Sequence, residues 1–288
     1  MVEVKASTML MMMLYVYGMF FMAGDIMTTL CTMCGLCQKD CSLQANAISI
    51  NKTGVHIELS LCNHCGHCVS ICPNDAMIHP LVSAKDIISK CFTPEEALCF
   101  LRTPRSIRQY LPTQVGNDTI EKLLNAGRYP QTPKNTQGIE YIVVTGKNKI
   151  KQIHDLYSKL VSSLDKNDQL YPLLTRPLLK ENKNGEDYLF YNCPHLILAI
   201  SDKYSLTAMR NAQFSLTFIS LMAPSLGLGT CWCGQLEHLV HHANFMEDFI
   251  KILKIPKNKA IFGCMMFGYP SIRFRKLVER DKLRIYWR

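Results

Sequence analysis

The sequence predicts an α+β protein in two parts, a small cysteine-rich module followed by a larger domain of helices and strands. Three observations carry that expectation. "LCTMCGLCQKDC", Leu30 to Cys41, returns as "LCNHCGHCVSIC", Leu61 to Cys72, which is an internal repeat of 31 residues. Beyond it, helix-start signals appear at Thr93 and Asp118, and apolar runs of strand length follow at Gly138 to Val144 and Cys193 to Asp202. The 288 residues, 48% of them hydrophobic, leave room for about two domains with a core.

In the repeat, Cys31, Cys34, Cys37 and Cys41 fall on Cys62, Cys65, Cys68 and Cys72, and Gly35 falls on Gly66. Eight cysteines in two tight runs could not pair as neighbours without strain, so metal is the better reading than disulfides. Three cysteines at i, i+3 and i+6 can wrap one face of a compact inorganic cube, whereas structural zinc prefers two separated pairs closing a tetrahedron. Zinc knuckles, and a cluster with a purely structural role, stay as alternatives. The pattern resembles bacterial-type two-cluster ferredoxins over about residues 28–80. That resemblance implies two 4Fe-4S clusters with crossed ligation, one on Cys31, Cys34, Cys37 and Cys72, the other on Cys62, Cys65, Cys68 and Cys41. Ser42 stands where the family usually has the proline that Pro73 supplies in the second half. Such clusters are assembled in reducing interiors, so a cytoplasmic protein is expected.

Ahead of the module, Met9 to Gly24 is a sixteen-residue run without a charge, short for a membrane span and about the length of a signal core. The flank "MVEVK" lacks the positive bias of a signal, and Met22 and Met27 are alternative starts. Residues 1–27 are read as an apolar extension: a start-site artefact, a targeting or membrane segment, or a partner-binding arm. A membrane role for the whole chain is not expected.

Residues 28–85 form the iron-sulfur module, and a second domain spans residues 97–288. Its first helix opens on a capping box of Thr93 and Glu96 with Pro94 at the first helical position. "DTIEKLLNAGRY", Asp118 to Tyr129, repeats the device with Asp118 and Glu121. Between them, "RTPRSIRQY" offers Arg105, Ser106 and Arg108, two guanidinium forks and a hydroxyl suited to a phosphate dianion. A solvated basic turn would look similar.

"PQTPKNTQ" follows from Pro130, and then the strand-like runs. "NAQFSLTFISLMAPSLGLGTCWCG", Asn211 to Gly234, reads as a long helix, apolar almost all round, ending in a glycine turn; "IFGCMMFGYP", Ile261 to Pro270, precedes a basic tail from Arg273. In this order the motifs resemble the nitroreductase family of FMN flavoproteins, over about residues 97–288. That resemblance implies a mixed sheet flanked by helices, with Cys193 to Asp202 central. It implies that Arg105, Ser106, Arg108 and Arg280 bind the FMN phosphate and that Thr132 and Asn135 reach the flavin from a partner subunit. Trp232, Cys233 and Gly234 would lie beside the isoalloxazine ring. A homodimer follows, with "LRIYW", Leu283 to Trp287, as a terminal strand crossing to the partner. Pro104 replaces an additional arginine common in the family, and Gln131 with Thr132 replaces Pro-Ser while keeping a hydroxyl.

The remaining cysteines, Cys91, Cys99, Cys193, Cys231, Cys233 and Cys264, have no metal spacing and read as small buried hydrophobes. His241 and His242 read as packing or surface histidines. Net charge is +9, but residues 1–100 carry 5 Lys and Arg against 8 Asp and Glu, so the excess lies downstream. Basic residues are not interleaved with aromatics there, and nucleic acid is not an expected partner. No serine-histidine-acid set, HExxH or P-loop is present. Gly227 to Gly229 has the wrong surroundings for a dinucleotide fingerprint, so NAD(P)H use is not visible.

Together the halves read as an oxidoreductase. A reduced donor such as a soluble ferredoxin feeds the clusters, these reduce FMN, and FMN reduces nitroaromatic or quinone-type acceptors. The alternatives are a non-enzymatic electron carrier or redox sensor, and a reductase specialised for one metabolite such as an enone or a halogenated aromatic.

Overall fold

The computed structural model describes residues 14–16, 19–21, 30–77, 92–242 and 245–288. The chain divides into two compact units, Met1–Cys91 with Thr132–Thr136, and Phe92–Gln131 with Gln137–Arg288.

In the first unit, strands β1 (Leu14–Val16) and β2 (Met19–Phe21) pair antiparallel. The module proper interleaves helix α1 (Leu36–Ser42), the antiparallel pair β3 (Ile48–Asn51) and β4 (Gly54–Ile57), and helix α2 (His67–Ser70). Each helix starts on a left-handed glycine, Gly35 at φ 80° and Gly66 at φ 74°, a conformation that would strain a residue with a Cβ. The halves diverge before their fourth cysteine. α2 ends at Ser70, two residues ahead of Cys72 and Pro73, whereas α1 runs on through Cys41 to Ser42, whose hydroxyl bonds back to the Lys39 carbonyl at 2.9 Å. His67 on α2 joins the halves through Asp40 and Gln44, each 3.1 Å away.

The second unit opens with α3 (Pro94–Leu101), whose capping box of Thr93 and Glu96 is formed on both sides. Helix α4 (Asn117–Ala126) departs from expectation: Gly116 occupies the cap, and Asp118 lies in the first turn, favourable to the helix dipole but without a capping bond. The sheet has the order β5-β6-β8-β7, built from β5 (Glu140–Thr145), β6 (His195–Asp202), β7 (Gly229–Trp232) and β8 (Lys259–Gly268). All three pairings are antiparallel, so the expected mixture of strand directions is confined to an isolated parallel bridge between Ser106 and Thr230.

β6 is buried from His195 to Ser201 because both faces of the sheet are covered. Leu196, Leu198 and Ile200 point to one side, where they meet α5 (Lys147–Ser162), α6 (Tyr171–Asn184), α8 (Gly234–Val240) and α9 (Met246–Leu253). Ile197 and Ala199 point to the other side, towards α4 and α7 (Ala208–Met222). This period-2 division of an all-apolar strand is what a two-sided core requires.

α7 buries one stripe, Ala208, Asn211, Ala212, Ser215, Leu216 and Ile219, and leaves Phe214 and Phe218 exposed. Its apolar circumference is therefore not all core in the single chain. Leu283 to Trp287, expected as a strand, is irregular and exposed here. A strand needs a hydrogen-bonding edge beside it, and none of the four named strands pairs with this segment.

Candidate functional site

The eight cysteines of the repeat fall into two sets by position. Cys31, Cys34, Cys37 and Cys72 line one cavity, with Ile50, Val55 and Met77 as its apolar wall. Cys62, Cys65, Cys68 and Cys41 line another, walled by Ile48, Ile57 and Leu59. Backbone amides point at the sulfurs: Met33 N–H donates to Cys31 Sγ and His64 N–H to Cys62 Sγ, both at 3.4 Å. Ala47 N–H donates to Cys41 Sγ at 3.2 Å and Ala76 N–H to Cys72 Sγ at 3.3 Å. Amide donors stabilise thiolates, the form that ligates.

Spacing separates cube from ion. Among the described residues, the side-chain groups close enough to hold a single metal ion do not include these cysteines. Four thiolates about 2.3 Å from one zinc would stand roughly 3.8 Å apart, so the sets fit a larger inorganic core. Two of the thiols resist ionisation: burial, then the neighbouring Cys65, pushes Cys68 up to about 11, and burial also raises Cys37. A positively charged iron core offsets that cost.

In the second unit the Arg105-Ser106-Ile107-Arg108 segment is fixed by backbone bonds on both sides. Ile107 N–H donates to the Thr230 carbonyl at 2.9 Å, and Leu111 N–H to the Tyr269 carbonyl at 2.8 Å. Gly229 permits this approach, since a Cβ there would sit 2.4 Å from Ile107 Cγ1. A cavity of about 420 Å³ opens on one side, where Arg105 and Arg273 face the turn Gly227–Gly229 with Ser220 and Thr230. Two guanidinium groups over a glycine turn, with the hydroxyls of Ser220 and Thr230 bonded to each other at 2.9 Å and one hydroxyl proton left to give, are a donor set that fits a phosphate dianion.

Arg108 points elsewhere, with its guanidinium 5.9 Å from the Tyr191 ring centroid. Tyr191 and Asn192 are held at φ 52° and 53°, a costly conformation for a tyrosine. Asp187 pins the loop by accepting from the amides of Leu189, Phe190 and Asn192 at 2.8–2.9 Å. Burial raises the Cys231 thiol, while Arg108 and a hydrogen bond from Ser106 pull it back. Burial also raises the Tyr110 phenol far above its usual range, and Cys193, Cys231 and Cys233 add to the effect. A second cavity, about 650 Å³, runs past Tyr110, Lys147, Lys151, His154, Asp187 and Asn192.

Within the second unit, the sequence-derived flavin residues are not gathered at one point. Arg105 and Arg108 face different surroundings. Arg280 lies in the exposed tail, beside Glu279, which forms an ion pair with Arg102. Trp232 packs against the core on the α4 and α7 side. Cys233 has no exposed surface, and its backbone bonds Cys264 and Glu237, so its side chain is not offered to a ligand. Gly234 opens α8. Thr132 and Asn135 belong to the first unit, where Asn135 Nδ2 donates to the carbonyls of Asn63 at 3.2 Å and His64 at 3.0 Å.

Sequence reasoning missed Arg273 as an individual, having seen only a basic tail, and missed Tyr191 and Asn192 altogether. The loop that carries them is pinned by Asp187, and only "DYLFYN" with its acid at the head hinted at such a cap. Cys193, Cys231, Cys233 and Cys264 are buried as expected; Cys99 is exposed, a correction that follows from its place on the uncovered helix α3, and Cys91 lies outside the described residues. His241 bonds the Ile261 carbonyl at 2.8 Å, and His242 bonds Asp168 at 2.9 Å while stacking on Phe245, both packing roles.

Comparisons with known proteins agree with this division. The model of the 4Fe-4S dicluster domain matches residues 25–73, and that of the nitroreductase family matches residues 101–269. A protein of Archaeoglobus fulgidus named as an NADH dehydrogenase/NAD(P)H nitroreductase is 26% identical over 182 residues, 62% of this chain and 87% of that protein. A Bacteroides fragilis nitroreductase solved with bound FMN is 20% identical with a TM-score of 0.54, covering 67% of this chain and 99% of its own. A Desulfitobacterium hafniense nitroreductase, also with bound FMN, is 19% identical with a TM-score of 0.53, covering 66% and 97%. At these identities the two structures share a fold with the second unit. With more than half of its length matched by one family model and a cluster domain matched ahead of it, the chain belongs to the nitroreductase family and carries its own 4Fe-4S dicluster domain.

Proposed function

We propose that the protein is an oxidoreductase that takes electrons from a reduced donor through two 4Fe-4S clusters to FMN and delivers them to nitroaromatic or quinone-type acceptors. The observation that carries this reading is the pairing, in one chain, of two four-thiol cavities with a nitroreductase-family domain. The crossed cavity linings support ligation by Cys31, Cys34, Cys37 and Cys72 and by Cys62, Cys65, Cys68 and Cys41.

When bound, FMN exchanges electrons singly with the clusters and in pairs, as hydride, with an acceptor. The protein's part is binding and orientation. Arg105 and Arg273 supply the charge for a phosphate, with Ser220 and Thr230 as hydroxyl partners. Arg108 and Tyr191 place a cation and an aromatic face near the buried thiol of Cys231, with Cys233 also within electrostatic reach of Tyr191. Carrying the cluster domain on the same chain makes electron delivery intramolecular, independent of dilution. A reducing compartment, hence the cytoplasm, suits the clusters.

The proposal includes a homodimer. Its support is apolar surface that the single chain leaves uncovered: Leu283, Tyr286 and Trp287, each more than four-fifths exposed, and Phe214 on α7.

The test is anaerobic purification with iron, sulfide and flavin analysis, then mixing of dithionite-reduced protein with a nitroaromatic while the flavin absorbance is followed. About eight irons and one FMN per chain, with rapid flavin reoxidation, is the expected result. Iron without flavin overturns the enzyme reading; both cofactors without reoxidation point to an electron carrier.

A further inference from the structure

The two ligand loops are twins in backbone and differ in what holds them. Met33 and His64 occupy equivalent places, at φ 53° and 51°, and each donates its amide to the preceding ligand sulfur at the same 3.4 Å. The first loop is tied from inside the module, where Asn74 Nδ2 donates to Thr32 Oγ1 at 3.0 Å. Under the 31-residue repeat, Thr32 corresponds to Asn63 and Asn74 corresponds to Leu43. Leu43 has no donor to give and is 82% exposed. In the second loop, the donor comes instead from Asn135, whose amide bonds the carbonyls of both residues between the ligands Cys62 and Cys65. Asn135 lies in Thr132–Thr136, a segment that belongs to the cluster unit although the chain on either side of it belongs to the second.

We propose that Asn135 is a positioning residue for the cluster held by Cys62, Cys65, Cys68 and Cys41, replacing a bond that duplication supplied in one half and Leu43 cannot supply in the other. The two clusters are thereby unequal. The geometry of the first answers to the module alone, while that of the second answers also to the segment between α4 and β5. An amide that grips both carbonyls orients the peptide whose N–H points at Cys62 Sγ, and amide orientation around the sulfurs is one of the levers on cluster potential and lability. The inference rests on the two-cluster reading of the module and is independent of the acceptor.

The experiment uses the full chain, reconstituted anaerobically, with Asn135→Ala, Asn135→Asp and Asn74→Ala. Iron release to a chelator and the midpoint potentials of both clusters, followed by electron paramagnetic resonance, are measured. In Asn135→Ala, about half of the iron is expected to leave roughly tenfold faster, the loss of two neutral hydrogen bonds, and one of the two potentials shifts. Asn135→Asp, nearly the same shape without the donor, behaves alike. Asn74→Ala moves the other half, and the double variant moves both. Unchanged release and potentials in Asn135→Ala overturn the proposal. So does loss of flavin with the iron undisturbed, which would assign Asn135 to the flavin, and so does an Asn135→Asp variant that behaves as the parent, since shape alone would then suffice.

Discussion

The cluster unit and the second domain are held together by different means. Among the described residues of the first, the buried hydrophobics are Ala47, Ile48, Ala76 and Met77, and neither helix buries a side chain. The second encloses a sheet between two layers of helices with Tyr157, Phe190, Phe249 and Phe267 fully buried. A module with so little apolar surface to hide cannot offset the entropy of ordering its chain by burial alone. Its stability has to come from ligation, whereas the second domain's comes from packing. The lesson is that one chain can contain a part whose fold depends on its metal and a part that does not.

Stripping the iron is the largest way to break that contrast. Anaerobic chelation is expected to unfold the module and leave the second domain folded, read as protease cleavage confined to residues 30–77 with the sheet amides still protected from hydrogen exchange. An apo-module that stays protected would show that packing suffices there. In the second domain the corresponding blow is Phe267→Ala, which opens a cavity beside His195, its stacking partner at 4.8 Å. A loss of about 3–5 kcal/mol in denaturant unfolding is expected, with iron content per folded chain unchanged.

Arg108→Gln sharpens the comparison at the proposed flavin site. Removing one guanidinium is expected to weaken FMN binding by about tenfold or more, measured by fluorescence of released flavin, while the cluster spectrum is unaffected. Equal flavin affinity would exclude Arg108 from the site.

The smallest effect is a pH dependence confined to the second domain. His195 is buried on β6, where its Nε2 accepts from the Val115 amide at 2.9 Å, and burial lowers its pKa to about 4. Between pH 6.5 and 4 the unfolded chain binds a proton that the native one refuses, so stability falls as pH drops through that window. Both tryptophans, Trp232 and Trp287, are in this domain, so tryptophan emission reports it alone. His195→Gln is expected to flatten the dependence of the melting temperature over that range. An unchanged slope would assign the acid sensitivity to other groups.

Much of this molecule was legible in one dimension because its signals are local. The capping box at Thr93 needs only four consecutive residues, and it formed as written. The cysteine spacing is equally local, and the resemblance it carries implied the crossing of Cys41 and Cys72 into each other's set. The Asp118 cap failed for a related reason: a cap competes with its neighbours, and Gly116 entered the extended conformation two residues earlier, leaving Asp118 inside the first turn. The end of the long apolar run was also misjudged in kind. After α7 and a short 3-10 turn it becomes strand β7, because Gly227 breaks the helix in a left-handed conformation and β8 offers an edge to pair with.

By itself, the sequence determined the chemistry of the module, since thiolates three residues apart on a repeating frame can be read without knowing where the frame lies. The family resemblance also implied a central place in the sheet for the segment that forms β6. What only the tertiary structure decided was which distant groups share a space: Arg273 with Arg105, Tyr191 with Arg108, and Asn135 with the loop between Cys62 and Cys65. Those pairings depend on backbone turns and long loops, whose paths are set by the sum of many weak contacts and leave no periodic trace in the chain.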